Sequence, residues 1–196
     1  MLQGRNEGLI IDDQQEKRKE QGMTRRGFTL IELIVVIAII AILAAVVAPN
    51  AFKAIEKAKI SGVIGDFNSI KTAAAAHYSD VNAWPETCAN HTACTQSQFV
   101  ANTSAPASWD GPYLDKWPVG RWATSEVSYT NAAGRLFNAA SNNERYITIT
   151  SAPTAAQDKV DLAIDGGTAA NFASGSVQKD GSGNLVILVS RDGSIE

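Results

Sequence analysis

A single carboxylate inside a long apolar run is the most unusual chemical feature of this 196-residue chain. The run extends from Phe28 to Ala48, is rich in Ile, Val, Leu and Ala, and contains Glu32 as its one charged residue. A carboxylate in a membrane helix costs about 2–4 kcal/mol unless it reaches water or a cation. Glu32 is therefore predicted either to stay hydrated near a membrane surface or to pair with a cation from another chain.

A second candidate for chemistry is the pair Cys88 and Cys94, the only cysteines, with His91 midway between them. The Cys-x2-His-x2-Cys spacing could supply three zinc ligands, with His77 or a carboxylate as the fourth. The same two cysteines could instead form a disulfide that closes a small surface loop. We favour the disulfide, because the topology argued below places this loop outside the cytoplasm, where dithiols oxidise.

Known catalytic motifs are missing from the sequence. It has two histidines, no Gly-x-Ser-x-Gly elbow, no phosphate-binding loop with Lys-Ser/Thr, and no His-Glu-x-x-His. The formal net charge is −3, so a general attraction to nucleic acid is not expected. The chain is predicted not to be an enzyme and not to bind nucleic acid.

The element that positions Glu32 must be a helix. The 28–48 run contains no Gly or Pro, and a helix of this length rises about 30 Å, enough to cross a bilayer. Arg25 and Arg26 flank its start, so the positive-inside rule keeps this end in the cytoplasm and sends the C-terminal part across.

The residues Gly27-Phe28-Thr29-Leu30-Ile31-Glu32-Leu33, continuing to Pro49, resemble the signal of type IV pilins and of the pseudopilins of type II secretion. The resemblance implies that a prepilin peptidase cuts after Gly27 and methylates the new N-terminus at Phe28. It further implies that Glu32 is needed for assembly and pairs with the N-terminal amine of a neighbouring subunit. Pairing a buried amine with a buried carboxylate would fix the axial register of the subunits.

The same resemblance implies the partners and the location. The chain would wait in the bacterial inner membrane as a single-pass protein with a periplasmic head, surrounded by lipid. It would then join a homo-oligomeric filament with other pilins or pseudopilins, through an inner-membrane assembly platform.

Major pseudopilins often bind calcium, and the oxygen donors here are Asp158, Asp161, Asp165 and Asp180. They lack the carboxylate spacing of an EF-hand loop, so no cofactor is expected and calcium is the alternative.

Five segments are predicted along the chain. They are a cleaved cytoplasmic leader (1–27, with Met23 as the expected true start), a membrane or filament-core half of a helix (28–49), an amphipathic half (50–80), a loop region rich in Trp and Pro (81–126) and a β-sheet head (127–196). Pro49 is expected to kink or loosen the helix, because proline removes an N–H and clashes with the preceding turn.

The amphipathic half carries an apolar stripe at alternating steps of three and four. The stripe consists of Ile60, Val63, Phe67, Ile70, Ala74 and His77, and it is extended upstream by Phe52 and Ile55. Gly62 and Gly65 are expected to allow close packing of the head on the helix.

β-branched runs at 127–130, 145–150, 160–164 and 185–190 predict four antiparallel strands. The fold class is therefore α+β, with a long helix packed by its second half on a small sheet, as in the pilin fold.

The resulting hypothesis is a structural filament subunit. The segment from Gly111 to Pro118 resembles major pseudopilins, and the cysteines come soon after the helix, so a secretion pseudopilin is preferred to a type IV pilus subunit. A competence pilin for DNA uptake remains open. The alternative of another class is a membrane-anchored periplasmic binding or enzymatic domain, which would leave Glu32 and the Gly27–Phe28 junction unexplained.

Overall fold

The computed structural model describes residues 27–101, 106–133, 137, 143–166, 172, 174–191 and 194–195. Helix α1, Leu30–Val81, continues through Pro49. The chain divides after Val46 into two compact units, so the apolar start of α1 belongs to one and its remainder to the other. The leader before Gly27, with the expected start at Met23, lies outside the described residues.

The second half of α1 buries the stripe predicted from its periodicity. The buried positions are Ile60, Val63, Phe67, Ile70, Ala73, Ala74 and His77. The upstream extension of the stripe is not covered by the head, because Phe52 is 71% exposed and Ile55 is 54% exposed. The hydrophobic core formed by the described residues begins only at Ile60, so nothing in that core reaches these two side chains.

The strands form one antiparallel sheet that shares this core. They are β1 Val127–Ala133, β2 Asn143–Ile149, β3 Val177–Lys179, β4 Leu185–Arg191 and β5 Ser194–Ile195. The spatial order is β1-β2-β4-β3, with β5 paired to β4. Ile147 and Ile149 of β2 lie opposite Ile187 and Leu185 of β4, and all four contribute to the core. The α+β arrangement is confirmed, and three of the four predicted strands are present.

The fourth predicted strand is wrong. Two further helices are described, α2 His91–Thr95 and α3 Thr154–Asp165. Residues 160–164 therefore belong to α3, whose buried Ala156 and Val160 lie four positions apart, as on one helix face. Pro153 precedes the helix and Gly166 ends it with φ 70°, a left-handed conformation that glycine adopts without strain. These boundary signals outweigh the β-branched composition of the segment.

Aromatic side chains pack the loop region. The Trp117 indole N–H donates to the Val127 carbonyl at 2.8 Å, and its ring packs on Phe99 with centroids 5.2 Å apart. Trp84 stacks on Tyr78 at the end of α1, with centroids 4.7 Å apart. The loop region is thus tied to both the helix and the sheet.

The outer edge of β1 is closed by the segment that follows α1. The backbone groups of Tyr129 exchange hydrogen bonds of 3.1 and 2.9 Å with those of Cys88. The Thr87 hydroxyl donates to the Asn131 carbonyl at 3.0 Å and accepts from the Asn131 N–H at 2.9 Å. Because unpaired strand edges are templates for pairing with other chains, these contacts remove one such template.

The start of the edge strand β3 is capped by Asp165, at the end of α3. The Asp165 carboxylate accepts the backbone N–H groups of Ser176 and Val177, each at 3.0 Å. Gly175 has φ 97°, and a Cβ at this position would clash with the same carboxylate. A glycine is therefore required where the chain enters β3.

Close packing at Gly62 fixes the loop region to α1. The Arg121 guanidinium donates hydrogen bonds to both carboxylate oxygens of Asp66, with Nε 2.9 Å from Oδ2 and Nη2 2.7 Å from Oδ1. A Cβ at Gly62 would lie 3.1 Å from Arg121 Cζ, tighter than an ordinary contact. The prediction for Gly62 is therefore confirmed. Gly65 is different, because a Cβ there would meet no described atom within 4 Å.

Replacing Asp165 by Ala is expected to lower the free energy of unfolding by about 1–3 kcal/mol, because two backbone N–H groups lose their acceptor. Urea denaturation measures the change. Asp158→Ala is the matched control on the same helix, since Asp158 has only a 4.0 Å contact with Lys179, and should cost less than about 0.5 kcal/mol. Equal losses in the two variants would contradict the role assigned to Asp165.

Candidate functional site

The N-terminus of α1 is built around Thr29 and Glu32. The carboxylate oxygen Oε2 of Glu32 accepts the Thr29 backbone N–H at 2.9 Å and the Thr29 hydroxyl at 2.8 Å. The Glu32 N–H donates to Thr29 Oγ1 at 3.3 Å. This reciprocal arrangement is a capping box, which satisfies backbone groups that the first helical turn leaves unpaired.

The capping box was readable from the sequence and was missed there. Its signature is a Ser or Thr followed three positions later by Glu, just before an apolar run. Glu32 therefore has a local role that requires no second chain. Both bonds to its carboxylate end on Oε2, so Oε1 keeps its capacity to accept a hydrogen bond or an ion pair from outside the helix.

The apolar surface of α1 after this cap is uncovered. Within the described part of the chain, α1 alone is long and apolar enough to cross a membrane, and none of its apolar stretch is buried. Exposed fractions run from 74% at Leu30 to 47% at Val36. A continuous apolar surface of this size marks contact with a membrane or with other protein chains.

Pro49 lies inside α1, which does not end there. Proline has no N–H to donate to the carbonyl four residues earlier, which here belongs to Ala45. The expected kink or loosening at Pro49 stays a prediction.

The structure contains the disulfide between Cys88 and Cys94, with Cα atoms 5.0 Å apart. Both residues are buried, at 3% and 0% exposure. Asn90 caps α2 between them by accepting the Ala93 N–H at 2.8 Å. The bridge therefore links the residue that closes the β1 edge to the short helix beside it.

The zinc alternative is wrong, because both cysteines are used in the disulfide. His91 Nδ1 lies 3.3 Å from the Pro118 carbonyl oxygen, and His77 Nδ1 lies 2.8 Å from the Ala83 carbonyl oxygen. The two histidines thus contact different parts of the loop region. Among the described residues, no group of three or more His, Cys, Asp or Glu side chains is placed to hold a metal ion.

The four calcium candidates have separate structural surroundings. Asp165 caps the start of β3, and Asp158 lies near Lys179. Asp180 shapes its own turn by accepting the N–H groups of Ser182 at 2.9 Å and Asn184 at 2.8 Å. Asp161 is buried on α3 at 3% exposure. Among the described residues, these four carboxylates do not form a group that could hold a metal ion.

His77 is the buried titratable group of the α1 stripe. Its exposure is 1%, and its ring meets Tyr113 edge-to-face with centroids 5.4 Å apart. Burial lowers the pKa of His77, while the hydrogen bond to Ala83 and the charge of Asp80 act in the opposite direction. Since a carbonyl can only accept, Nδ1 carries the proton of the neutral ring. His77 is therefore a core residue that is neutral in the folded protein at physiological pH.

Two family models match the chain. Residues 22–48 match the prokaryotic N-terminal methylation motif, which covers the Gly27–Phe28 junction and the apolar run. Residues 54–133 match the model described as PilW, C-terminal, which covers the head half of α1, the loop region and β1. No curated protein and no solved structure matches the chain. The two matches confirm the resemblance to type IV pilin-like proteins.

Replacing both cysteines by Ala is expected to lower the free energy of unfolding by about 2 kcal/mol, as the loop-closure estimate gives for a bridge this short. It should also loosen the contact between Cys88 and β1. Chemical denaturation and amide exchange at Tyr129 measure the two effects. Ala93→Gly in α2 is the control for general loosening of this helix, and unchanged exchange at Tyr129 in the cysteine variant would contradict the edge-closing role.

The stability of the head should fall as pH drops below about 6.5, the ordinary pKa of histidine. The pKa of His77 is lowered in the folded state, so as pH falls the unfolded chain binds a proton before the folded protein does. The equilibrium therefore shifts toward the unfolded chain. The loss continues until pH passes the folded-state pKa and then levels off. His77→Gln should remove this component, seen as a difference between the two stability-pH curves. Parallel curves from pH 7 to pH 5 would contradict the assignment.

Proposed function

We propose that this chain is a structural subunit of a type IV pilus-type filament. The observation that carries the proposal is the uncovered apolar stretch of α1, which lies within the N-terminal methylation motif. Pilin-like families are generally structural rather than enzymatic. The motif and the apolar helix fit anchoring in the inner membrane with the head in the periplasm.

Processing begins the proposed pathway. A prepilin peptidase cleaves after Gly27 and methylates the amine of Phe28, while the apolar half of α1 holds the chain in the bilayer. The subunit then leaves the membrane. The apolar helix surfaces of many copies pack against each other, and these contacts replace the contacts with lipid. Because lipid is as apolar as leucine, hydrophobicity alone does not drive this exchange, and shape and polar contacts must supply specificity.

The sheet edges support assembly through the helix. Thr87 and Cys88 occupy the outer edge of β1, and Asp165 occupies the start of β3. The head therefore gives little opportunity for another chain to add a strand at these edges. In the part of the chain that the structure describes, the apolar half of α1 is a large uncovered surface.

Glu32 supplies the polar contact in this proposal. Its Oε2 completes the capping box within the chain, and its Oε1 would accept the N-terminal amine of a neighbouring subunit. The capped geometry holds the carboxylate at the helix start, so the partner meets a preformed acceptor. One residue would thus stabilise its own helix and set the register between subunits.

The segment matching PilW changes the preference among filament types. It includes the cysteine pair and the segment from Gly111 to Pro118, on which the preference for a secretion pseudopilin rested. We therefore propose a type IV pilus-type minor pilin, and a secretion pseudopilin is the second candidate. The two are distinguished by expressing the chain in cells that carry only pilus genes and in cells that carry only secretion genes. Incorporation into filaments of the first cells supports the minor pilin, and incorporation only in the second supports the pseudopilin.

Glu32→Ala, Glu32→Gln and Gly27→Leu test the pathway together. Gln keeps the capping box but carries no charge, whereas Ala removes both. If Glu32 pairs with an amine, both variants should be cleaved normally yet enter filaments at least about tenfold less than wild type, since a buried amine loses its partner. Gly27→Leu should block cleavage and mark the position of the precursor on a gel.

The readouts are precursor cleavage by gel shift and the amount of chain in sheared filaments. Normal incorporation of Glu32→Gln with loss of Glu32→Ala would show that only capping matters, and would contradict the pairing. Unaltered mobility and location in cells lacking prepilin peptidase would contradict the filament proposal and favour a simple membrane-anchored domain.

A further inference from the structure

The part of α1 that follows the apolar run is both apolar and basic. Phe52 and Ile55 are 71% and 54% exposed and lie outside the core formed by the described residues. Lys53 and Lys57 are exposed beside them and lie one helical turn apart. This combination of large apolar and cationic side chains on neighbouring faces is typical of helices at a membrane–water interface.

The acidic residue of this segment does not cancel the lysine charges. Glu56 Oε1 accepts a hydrogen bond from Lys159 Nζ of α3 at 2.8 Å, so Glu56 is already paired within the head. Among the described residues, neither Lys53 nor Lys57 has an acidic group within ion-pair distance. Two neighbouring cationic groups therefore remain for a partner outside the chain.

Their position in the helix matches the headgroup layer. Lys53 follows Ala48, the last residue of the apolar run, by five positions, which corresponds to about 7 Å of helix rise. The polar layer on each side of the hydrocarbon core is about 5–8 Å thick. Lys57 is one turn further, and its flexible side chain can reach back toward the phosphates.

We propose that Lys53 and Lys57 bind the phosphates of anionic phospholipids in the outer leaflet of the inner membrane, with Phe52 and Ile55 seated among the headgroups. This inference rests on the membrane-anchored stage of the proposed function. Cations on the translocated side run against the positive-inside rule, so a specific role there is needed to explain them. The contact would hold the head close to the membrane until the subunit enters the filament.

The test uses the 196-residue chain in phosphatidylcholine vesicles that contain trace spin-labelled phosphatidylglycerol or spin-labelled phosphatidylcholine. Electron paramagnetic resonance measures the fraction of each labelled lipid that the protein immobilises. Wild type should prefer phosphatidylglycerol at least about twofold, and the preference should weaken at high salt. The double variant Lys53→Gln with Lys57→Gln should lose most of this lipid preference. Arg25 and Arg26 are present in wild type and in the double variant, so their contribution to the preference is the same in each.

Lys71→Gln is the matched control, because Lys71 lies on the same helix but close to the Phe67 ring, with Nζ 5.9 Å from its centroid. It should keep the wild-type preference, and thermal unfolding should show that all variants fold. No preference in wild type, an unchanged preference in the double variant, or an equal loss in Lys71→Gln would overturn the proposal.

Two outcomes separate this inference from its premises. If the lysines contact carboxylates of a second copy, the double variant will lose chemical crosslinking between copies while keeping the lipid preference, which overturns lipid binding alone. If neither labelled lipid is immobilised by wild type, the chain does not enter the bilayer. That result contradicts the membrane stage of the proposed function, and lipid binding fails with it.

Discussion

An apolar surface that the chain cannot bury by itself is the constraint on which the rest of the structure depends. The first half of α1 exposes its Ile, Val and Leu side chains on every side, and the core of the described residues begins only at Ile60. Water is an unfavourable environment for such a helix, so lipid or other chains must cover it. Among the described residues, the head buries most of its large apolar side chains, whereas the first half of α1 leaves its own uncovered.

The sheet edges contrast with that uncovered helix. A small antiparallel sheet with free edges would be open to strand pairing with another chain. Here backbone and side-chain groups from outside the sheet occupy those edges: Thr87 and Cys88 on β1, and Asp165 at the start of β3. The disulfide and Gly175 belong to the same arrangement, because the first restrains Cys88 and the second makes room for Asp165.

Glu32 makes its polar contacts within its own helical turn. A carboxylate in an apolar helix is costly, and the capping box offsets part of that cost by pairing the carboxylate with backbone and hydroxyl donors of Thr29. The same geometry leaves one oxygen for a partner. Any experiment on Glu32 must therefore separate charge from capping, which substitution by Gln does.

The sequence by itself determined the features that depend on local pattern: the membrane-length helix, the cleavage motif, the buried stripe from Ile60 to His77 and three of the strands. The signals that bound helix α3, Pro153 and Gly166, are also local, and they compete with the β-branched composition that predicts a strand at 160–164. Only the tertiary structure decided that burial of the stripe begins at Ile60 and does not include Ile55. It also decided that Arg121 crosses Gly62 to reach Asp66, and that Asp165 caps the start of β3. Those contacts join residues distant in sequence, and periodicity carries no information about which distant elements meet.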